Sequence, residues 1–170
     1  MKKMLAISGS ANSGGSNNQL LELIAHEFSS SYQITVYSEL GELPLFTPDK
    51  LKEGVPNQVS ELKDQVADSE AVIICTPEYL HNIPAALKNA FEWMTESGEL
   101  AQKPILAITF TPHPPRGEYA MQSLCNSLVA SKSNVVAELP LYQNEMRNDL
   151  GQIQLTEEMK ALIEEALRLL

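Results

Sequence analysis

The sequence has little cysteine and little positive charge. Its two cysteines rule out a disulfide-rich scaffold. We expect Cys75, inside an apolar run, to be a buried small hydrophobe, and neither Cys75 nor Cys125 to have a catalytic or metal-binding role. The 12 lysines and arginines stand against 22 aspartates and glutamates, a formal net charge of −10. Because phosphate groups repel such a protein, we expect neither nucleic acid nor an anionic membrane surface as a partner.

The sequence also lacks a long apolar run and a linker. No apolar stretch approaches the roughly 20 residues that a membrane helix needs. The apolar stretch after Lys3 is too short for a secretory signal and ends in Ser8-Gly9-Ser10. These absences predict a cytoplasmic protein. Because no linker or internal repeat divides the 170 residues, we expect residues 1–170 to form a single domain.

Short apolar runs alternate with helical patterns along the chain. Strands are predicted at 3–8, 34–37, 71–75, 104–109 and 135–139, and helices at 16–29, 55–68, 84–96, 118–130 and after the cap residue Thr156. The strands are apolar without polar alternation, as burial on both faces requires. The pattern therefore predicts an α/β protein whose parallel sheet is covered by helices on both sides.

The loop after the first predicted strand, residues 8–18, contains small and amide-bearing residues and no charge. It leads into a helix, whose N-terminal N–H groups and positive potential favour an anion. The loop has neither the Gly-Lys-Ser/Thr of a P-loop nor Gly-x-Gly-x-x-Gly. No lysine or arginine lies between Lys3 and Lys50. The sequence therefore predicts a phosphate site built from neutral donors.

Proline stiffens the loops after the third and fourth predicted strands. Residues 76–84 place Tyr79 between two prolines, and such a rigid backbone suits the edge of a planar heterocycle. Residues 109–118 contain three prolines and Arg116, the one cation in the three loops. Ligands of open parallel sheets bind at the carboxyl ends of the strands, so the three loops predict one site. The residues alone leave open whether Glu78 is a solvated charge and whether Arg116 is structural.

Two segments carry a family resemblance. Pro77-Glu78-Tyr79, followed by the run Ile-Pro-Ala-Ala-Leu-Lys-Asn-Ala-Phe-Glu-Trp at residues 83–93, resembles the signature of the NADPH-dependent FMN reductases, which have the flavodoxin-like fold and include azo, quinone and chromate reductases. Leu43-Pro44 is similar to the family's Leu-x-x-Leu-Pro segment. The resemblance extends from Lys3 to about Ala130.

The resemblance implies a flavodoxin-like three-layer sandwich, with a five-stranded parallel sheet in the order 2-1-3-4-5 and helices on both faces. It implies bound FMN, through which hydride passes from NADPH to a small acceptor such as a quinone, an azo compound, free flavin or a metal oxyanion. The flavin then carries the chemistry, and neither a catalytic side chain nor a metal is needed. The cofactor-binding residues so implied are Gly9, Ser10, Asn12, Ser16, Asn17, Asn18, Pro77, Glu78, Tyr79, Leu80, Thr111, His113 and Arg116.

The sequence departs from the family pattern within all three loops. Asn12 stands where the family has an arginine, Leu80 replaces an asparagine, and Pro114-Pro115 replaces two glycines. We expect modest FMN affinity, because the helix dipole and neutral hydrogen bonds must hold a dianion. Two alternatives stay open: a flavodoxin-type electron carrier, and a family member with weakened cofactor binding. The choice between NADPH and NADH also stays open.

The resemblance further implies a homodimer or homotetramer. Trp93 gives a separate reason to expect pairing. It falls about 120° from the apolar stripe of its helix, at about 100° per residue. A tryptophan off the core face is exposed or lies in a subunit interface, where tryptophan is enriched.

Overall fold

A computed structural model describes residues 1–149 and 152–170, and a five-stranded parallel sheet forms its centre. The strands are β1 (Lys2–Ser8), β2 (Tyr32–Tyr37), β3 (Ala71–Thr76), β4 (Pro104–Thr111) and β5 (Asn134–Tyr142). Their spatial order is β2-β1-β3-β4-β5, as predicted, so that β2 and β5 are the edges. All six residues of β3 are buried, which explains why this strand is apolar without alternation.

Helices cover both faces of the sheet. They are α1 (Ser16–Glu27), α2 (Pro48–Glu53), α3 (Asn57–Asp68), α4 (Ala85–Met94), α5 (Glu118–Ala130) and α6 (Glu157–Leu169). One apolar core joins the sheet to α3, α4 and α5, and a second joins it to α1 and α6. The predicted α/β three-layer sandwich is therefore confirmed. Both cores end at the carboxyl edge of the strands, where the loops leave the sheet.

Trp93 is buried, so the expectation that it lies in solvent or in an interface is wrong. Only 1% of its surface is exposed, and its Nε1–H donates to the carbonyl oxygen of Pro44 at 2.7 Å. Its ring meets that of Phe46 edge-on, with centroids 5.1 Å apart. Asn89 donates to the same carbonyl at 3.1 Å and accepts from the Phe46 N–H at 2.8 Å. The 43–46 segment thus covers a second face of α4, which helical periodicity alone does not reveal.

A short helix and a short pair of strands were not predicted. Helix α2 is only six residues long, too short for periodicity to show, although Thr47 accepts from the Lys50 N–H at 3.2 Å as its cap. Strands β6 (Arg147–Asp149) and β7 (Gln152–Gln154) pair antiparallel after β5, in a region that the sequence presents only as a long connection. Within the described ranges, no helix is both long and apolar enough to cross a membrane.

We expect the two α4 side chains that bind Pro44 to contribute to stability. Trp93→Phe keeps an aromatic ring but loses one hydrogen bond and leaves part of the indole volume empty, and should lower the free energy of unfolding by about 2–3 kcal/mol. Asn89→Ala leaves the Phe46 N–H without its acceptor and should cost about 2 kcal/mol. Urea unfolding measures both. Glu96→Ala, at an exposed position beyond the end of the same helix, is the control and should stay within about 0.5 kcal/mol of wild type. Equal values for Trp93→Phe and this control would contradict the assignment.

Candidate functional site

A cleft opens where the loops after β1, β3 and β4 meet at the carboxyl edge of the sheet. Its volume is about 340 Å³, within the range typical of small-molecule sites, about 300–1,000 Å³. Its walls are formed by Ser10, Asn12, Gly15, Ser16, Asn17, Pro77, Glu78, Tyr79, Phe110, Thr111, Pro112, Arg116 and Gln143. The structure therefore brings together residues from all three of the loops that the sequence singles out.

The first loop prepares an anion site at the start of α1. Ser10 Oγ accepts from the Asn12 N–H at 3.1 Å, and Asn12 Oδ1 accepts from the Gly14 N–H at 3.1 Å. The Asn12 carbonyl accepts from the Gly15 N–H at 3.0 Å. These bonds hold the loop but leave the helix N-terminus free: Gly15 offers no side-chain cap, and the first turn has no acidic residue. The N–H groups of that turn are therefore donors for an external anion.

Gln143 was not predicted as a site residue. It follows β5 and donates from Nε2 to the Ser16 hydroxyl at 3.0 Å. Gly15, Phe110 and Pro112 also line the cleft; they belong to the predicted loops but are not among the individually named cofactor-binding residues. The loops after all strands of a parallel sheet leave at the same edge, and this rule could have indicated Gln143. Its amide side chain carries no other sequence signal.

Asn17 lies at the cleft but directs its side chain into the protein. Its Oδ1 accepts from the Cys75 thiol at 3.1 Å, and its Nδ2 donates to the Phe110 carbonyl at 3.4 Å. Burial raises the pKa of the Cys75 thiol far above its usual value, so the thiol stays protonated and remains a donor. Asn17 therefore fastens α1 to β3 and β4, and only its backbone N–H is available to a ligand.

Four of the predicted site residues lie outside the described cleft walls: Gly9, Asn18, Leu80 and His113. Gly9 is glycine for packing, because a Cβ there would stand 2.9 Å from Leu87 Cδ2. Asn18 has a buried Oδ1 without a hydrogen-bond partner among the described residues. His113 is exposed, and its Nδ1 lies 2.9 Å from the Pro114 carbonyl oxygen.

Glu78 is not a solvated charge. It is 8% exposed, and its Oε2 accepts from the N–H groups of Gly117 at 3.0 Å and Ala120 at 3.2 Å. These N–H groups lie at the N-terminus of α5, where the cap residue Gly117 has no side chain that could accept from them. A carboxylate at this position also interacts favourably with the positive end of the helix dipole. The residue therefore joins two walls of the cleft.

A tight two-residue turn at Leu80 and His81 closes the second loop. Tyr79 and Asn82 exchange two backbone hydrogen bonds, at 2.9 and 3.0 Å. The residues between them have φ of +51° and +57°, a left-handed conformation that leucine and histidine seldom adopt. The Leu80 side chain is 99% exposed. His81 Nδ1 lies 3.6 Å from Glu78 Oε1, and its ring lies 4.7 Å from that of Tyr119.

Arg116 is the one cation on the described cleft walls. Its backbone is held on both sides: the N–H donates to the His113 carbonyl at 3.1 Å, and the carbonyl accepts from the Thr111 hydroxyl at 2.7 Å. Within residues 1–149 and 152–170 its guanidinium forms no ion pair. The cleft thus combines a free helix N-terminus, two stiff walls and a single positive charge.

The fold is that of a flavodoxin-like α/β protein, with a cleft at the carboxyl edge of its parallel sheet. Comparison with known proteins gives the family: residues 2–145 match the family described as NADPH-dependent FMN reductase. The chain belongs to this family, and the resemblance found in the sequence is confirmed.

Individual relatives carry the names of reductases. The chain is 37% identical over 105 residues to the NADH:(hydroxy)cinnamate reductase subunit CrdA of Vibrio ruber, covering 61% of this chain and 51% of that protein. It is 29% identical over 110 residues to a quinone reductase of Escherichia coli, covering 63% and 58%. The chain thus spans little more than half the length of these relatives. In fold it is similar to FerB, an NAD(P)H:(acceptor) oxidoreductase of Paracoccus denitrificans, with a TM-score of 0.79 and 22% identity over 99% of this chain and 95% of that one.

We expect the Leu80 turn to be locally destabilising. Leu80→Asn should raise the free energy of unfolding of the monomer by about 0.5–1 kcal/mol, because asparagine adopts the left-handed conformation more readily and Leu80 has no buried contact within its own chain. Thermal or urea unfolding measures the change. Leu45→Asn is the matched control, since Leu45 is 69% exposed but has no positive φ. The prediction fails if both substitutions change stability equally.

Proposed function

We propose that this protein is an FMN-dependent NAD(P)H oxidoreductase that reduces small molecules such as quinones, azo compounds, free flavin or metal oxyanions. The observation that carries the proposal is the cleft, in which a free helix N-terminus, suited to a phosphate, lies beside two loops stiffened by proline. Residues 1–170 would act as one FMN-binding domain. The proposal implies a cytoplasmic location, where NAD(P)H is available.

The residues of the cleft fit FMN. The first turn of α1 and the hydroxyls of Ser10 and Ser16 would hold its phosphate, and the Gln143 amide supports Ser16 from the other side. Pro77, Tyr79 and Thr111 would border the ring system, where rigid backbone excludes water without long flexible side chains. When bound, FMN supplies reversible transfer of one or two electrons. The buried Asn18 Oδ1 is an acceptor still without a partner among the described residues.

Charge distribution supports binding of an anionic co-substrate at Arg116. The protein has a formal net charge of −10, and the described cleft carries one cation and one carboxylate. That carboxylate, Glu78, is bonded to the α5 backbone. Arg116 therefore remains to attract a phosphate of the nicotinamide dinucleotide or the anionic form of the flavin. Arg116→Gln separates the two: a rise in KM for NADPH supports the first, and a loss of flavin affinity supports the second.

The proposal predicts rapid reduction of the FMN-loaded protein. Anaerobic mixing with NADPH or NADH should bleach the flavin absorbance within about 0.1 s, at a median turnover near 10 per second. Titration by fluorescence quenching should show a clear preference for FMN over FAD, because the site suits one terminal phosphate. Flavin that stays oxidised for minutes with either nicotinamide, and is reduced only after another reductase is added, would support an electron carrier. Absence of flavin binding would support a member with weakened cofactor binding.

Variants of the phosphate site refine this test. Ser10→Ala combined with Ser16→Ala should weaken FMN binding on the order of a hundredfold, through the loss of two hydroxyl donors to the charged phosphate. Asn57→Ala combined with Ser60→Ala, in the first turn of α3, is the matched control and should leave affinity unchanged.

We further propose a homodimer formed through an exposed apolar surface beside the cleft. Tyr79, Leu80 and Tyr119 are 54%, 99% and 56% exposed, and His81 connects them through its ring contact with Tyr119. Sedimentation at micromolar concentration should give a species near twice the 18.7 kDa chain mass. Leu80→Asp should shift it toward the monomer, whereas Leu169→Asp, on the opposite face of the sheet, should not. A wild-type species at the chain mass would refute the dimer, and one near four times that mass would indicate a tetramer.

A further inference from the structure

The loop after β4 and the first turn of α5 form one rigid unit. Arg116 is bonded within the loop through its N–H and its carbonyl, and the next residue, Gly117, donates to Glu78. Gly117 has a φ of +107°, and a Cβ there would stand 3.0 Å from Thr109 Oγ1. The Gly117 backbone therefore lies directly against β4, too close for a side chain to fit between them.

The Glu78 carboxylate is the link between this unit and the opposite wall. Its Oε2 accepts hydrogen bonds from the N–H groups of Gly117, directly before α5, and Ala120, in its first turn. The backbone of Glu78 itself belongs to the Pro77–Tyr79 wall. The side chain is 8% exposed, so these charge-assisted bonds form with little competition from water. The Glu78 side chain thus bridges the two walls, and the segment that it reaches through Gly117 also carries Arg116.

We propose that Glu78 is a positioning residue that acts through Arg116: it fixes where the cation stands and so sets the affinity for the nicotinamide co-substrate. This inference rests on the proposed function. Its alternative is a direct electrostatic action of the carboxylate on a bound ligand. The two differ in what matters, since positioning depends on side-chain length and a hydrogen-bond acceptor, whereas direct action depends on charge.

Three substitutions separate these roles. Glu78→Gln keeps the length and an acceptor oxygen, and should raise the KM for NADPH less than threefold. Glu78→Asp keeps the charge but is one methylene shorter, and should raise the KM at least tenfold, as should Glu78→Ala. We expect kcat to change less than the KM, because an interaction made equally with bound substrate and transition state affects binding. Normal kinetics for Glu78→Asp with a large defect in Glu78→Gln would overturn the proposal.

A double-mutant cycle tests whether the effect passes through Arg116. In an Arg116→Gln background, Glu78→Ala should raise the KM for NADPH less than twofold further, because the cation that it positions is gone. Full additivity of the two effects would overturn the proposal. Thr156→Ala is the matched control: it removes the cap of α6, where Thr156 Oγ1 accepts from the Met159 N–H at 3.3 Å, far from the cleft. A similar rise in KM for this variant would attribute the effect to general destabilisation, and would also overturn it.

Amide hydrogen exchange examines the link without any assay of activity. Glu78→Ala should accelerate exchange at Gly117 and Ala120, which lose their acceptor, and at Arg116, whose loop loses its tie to the other wall. Glu78→Gln should keep most of the protection at all three. Unchanged exchange in Glu78→Ala would refute the positioning role. If wild type fails to oxidise NADPH, the proposed function fails, and the exchange pattern still decides whether Glu78 holds the Arg116 loop.

Discussion

The bonds from the Glu78 carboxylate to the first turn of α5 connect parts of the molecule that the sheet alone leaves independent. Parallel strands fix where each loop starts, but not how far it leans once it has left the sheet. The loops after β3 and β4 are therefore free to separate unless something spans them. A buried carboxylate suits this task, because it can accept several N–H groups at once and gains from the positive end of a helix. Glu78 thus joins two of the three loops that form the cleft.

At the first loop of the cleft, neutral groups rather than cations provide the attraction for an anion. An acidic protein repels a phosphate dianion at long range, and the first loop contains no cation to offset this. Backbone N–H groups at a helix N-terminus provide attraction without adding a mobile charged side chain. Asn17 holds that helix turn in place through the Cys75 thiol and the Phe110 carbonyl. Because burial keeps the Cys75 thiol protonated, the thiol remains a hydrogen-bond donor to Asn17.

The family resemblance implied the sheet order. Sequence periodicity predicted the strands and helices, and loop composition predicted the position of the cleft, because both are local signals. Periodicity misplaced Trp93, whose second buried face comes from a segment about 50 residues earlier in the chain. The resemblance implied Glu78 and Asn17 as cofactor-binding residues; both line the cleft, and their side chains bond to distant groups of the protein. Gln143 was missed, since an isolated glutamine after a strand resembles any surface residue. In each case, the sequence does not show which distant group the side chain reaches.

The edge strand β5 limits how two copies of this protein can meet. Pro140 has no N–H to offer a neighbouring strand, and the exposed Glu138 places a charge on the same edge. Its register with β4 also shifts between Ile105 and Leu106, which interrupts a regular ladder. Continuous growth of the sheet from one molecule into the next is thereby discouraged. At this edge, two copies are therefore left to associate through helices and loops.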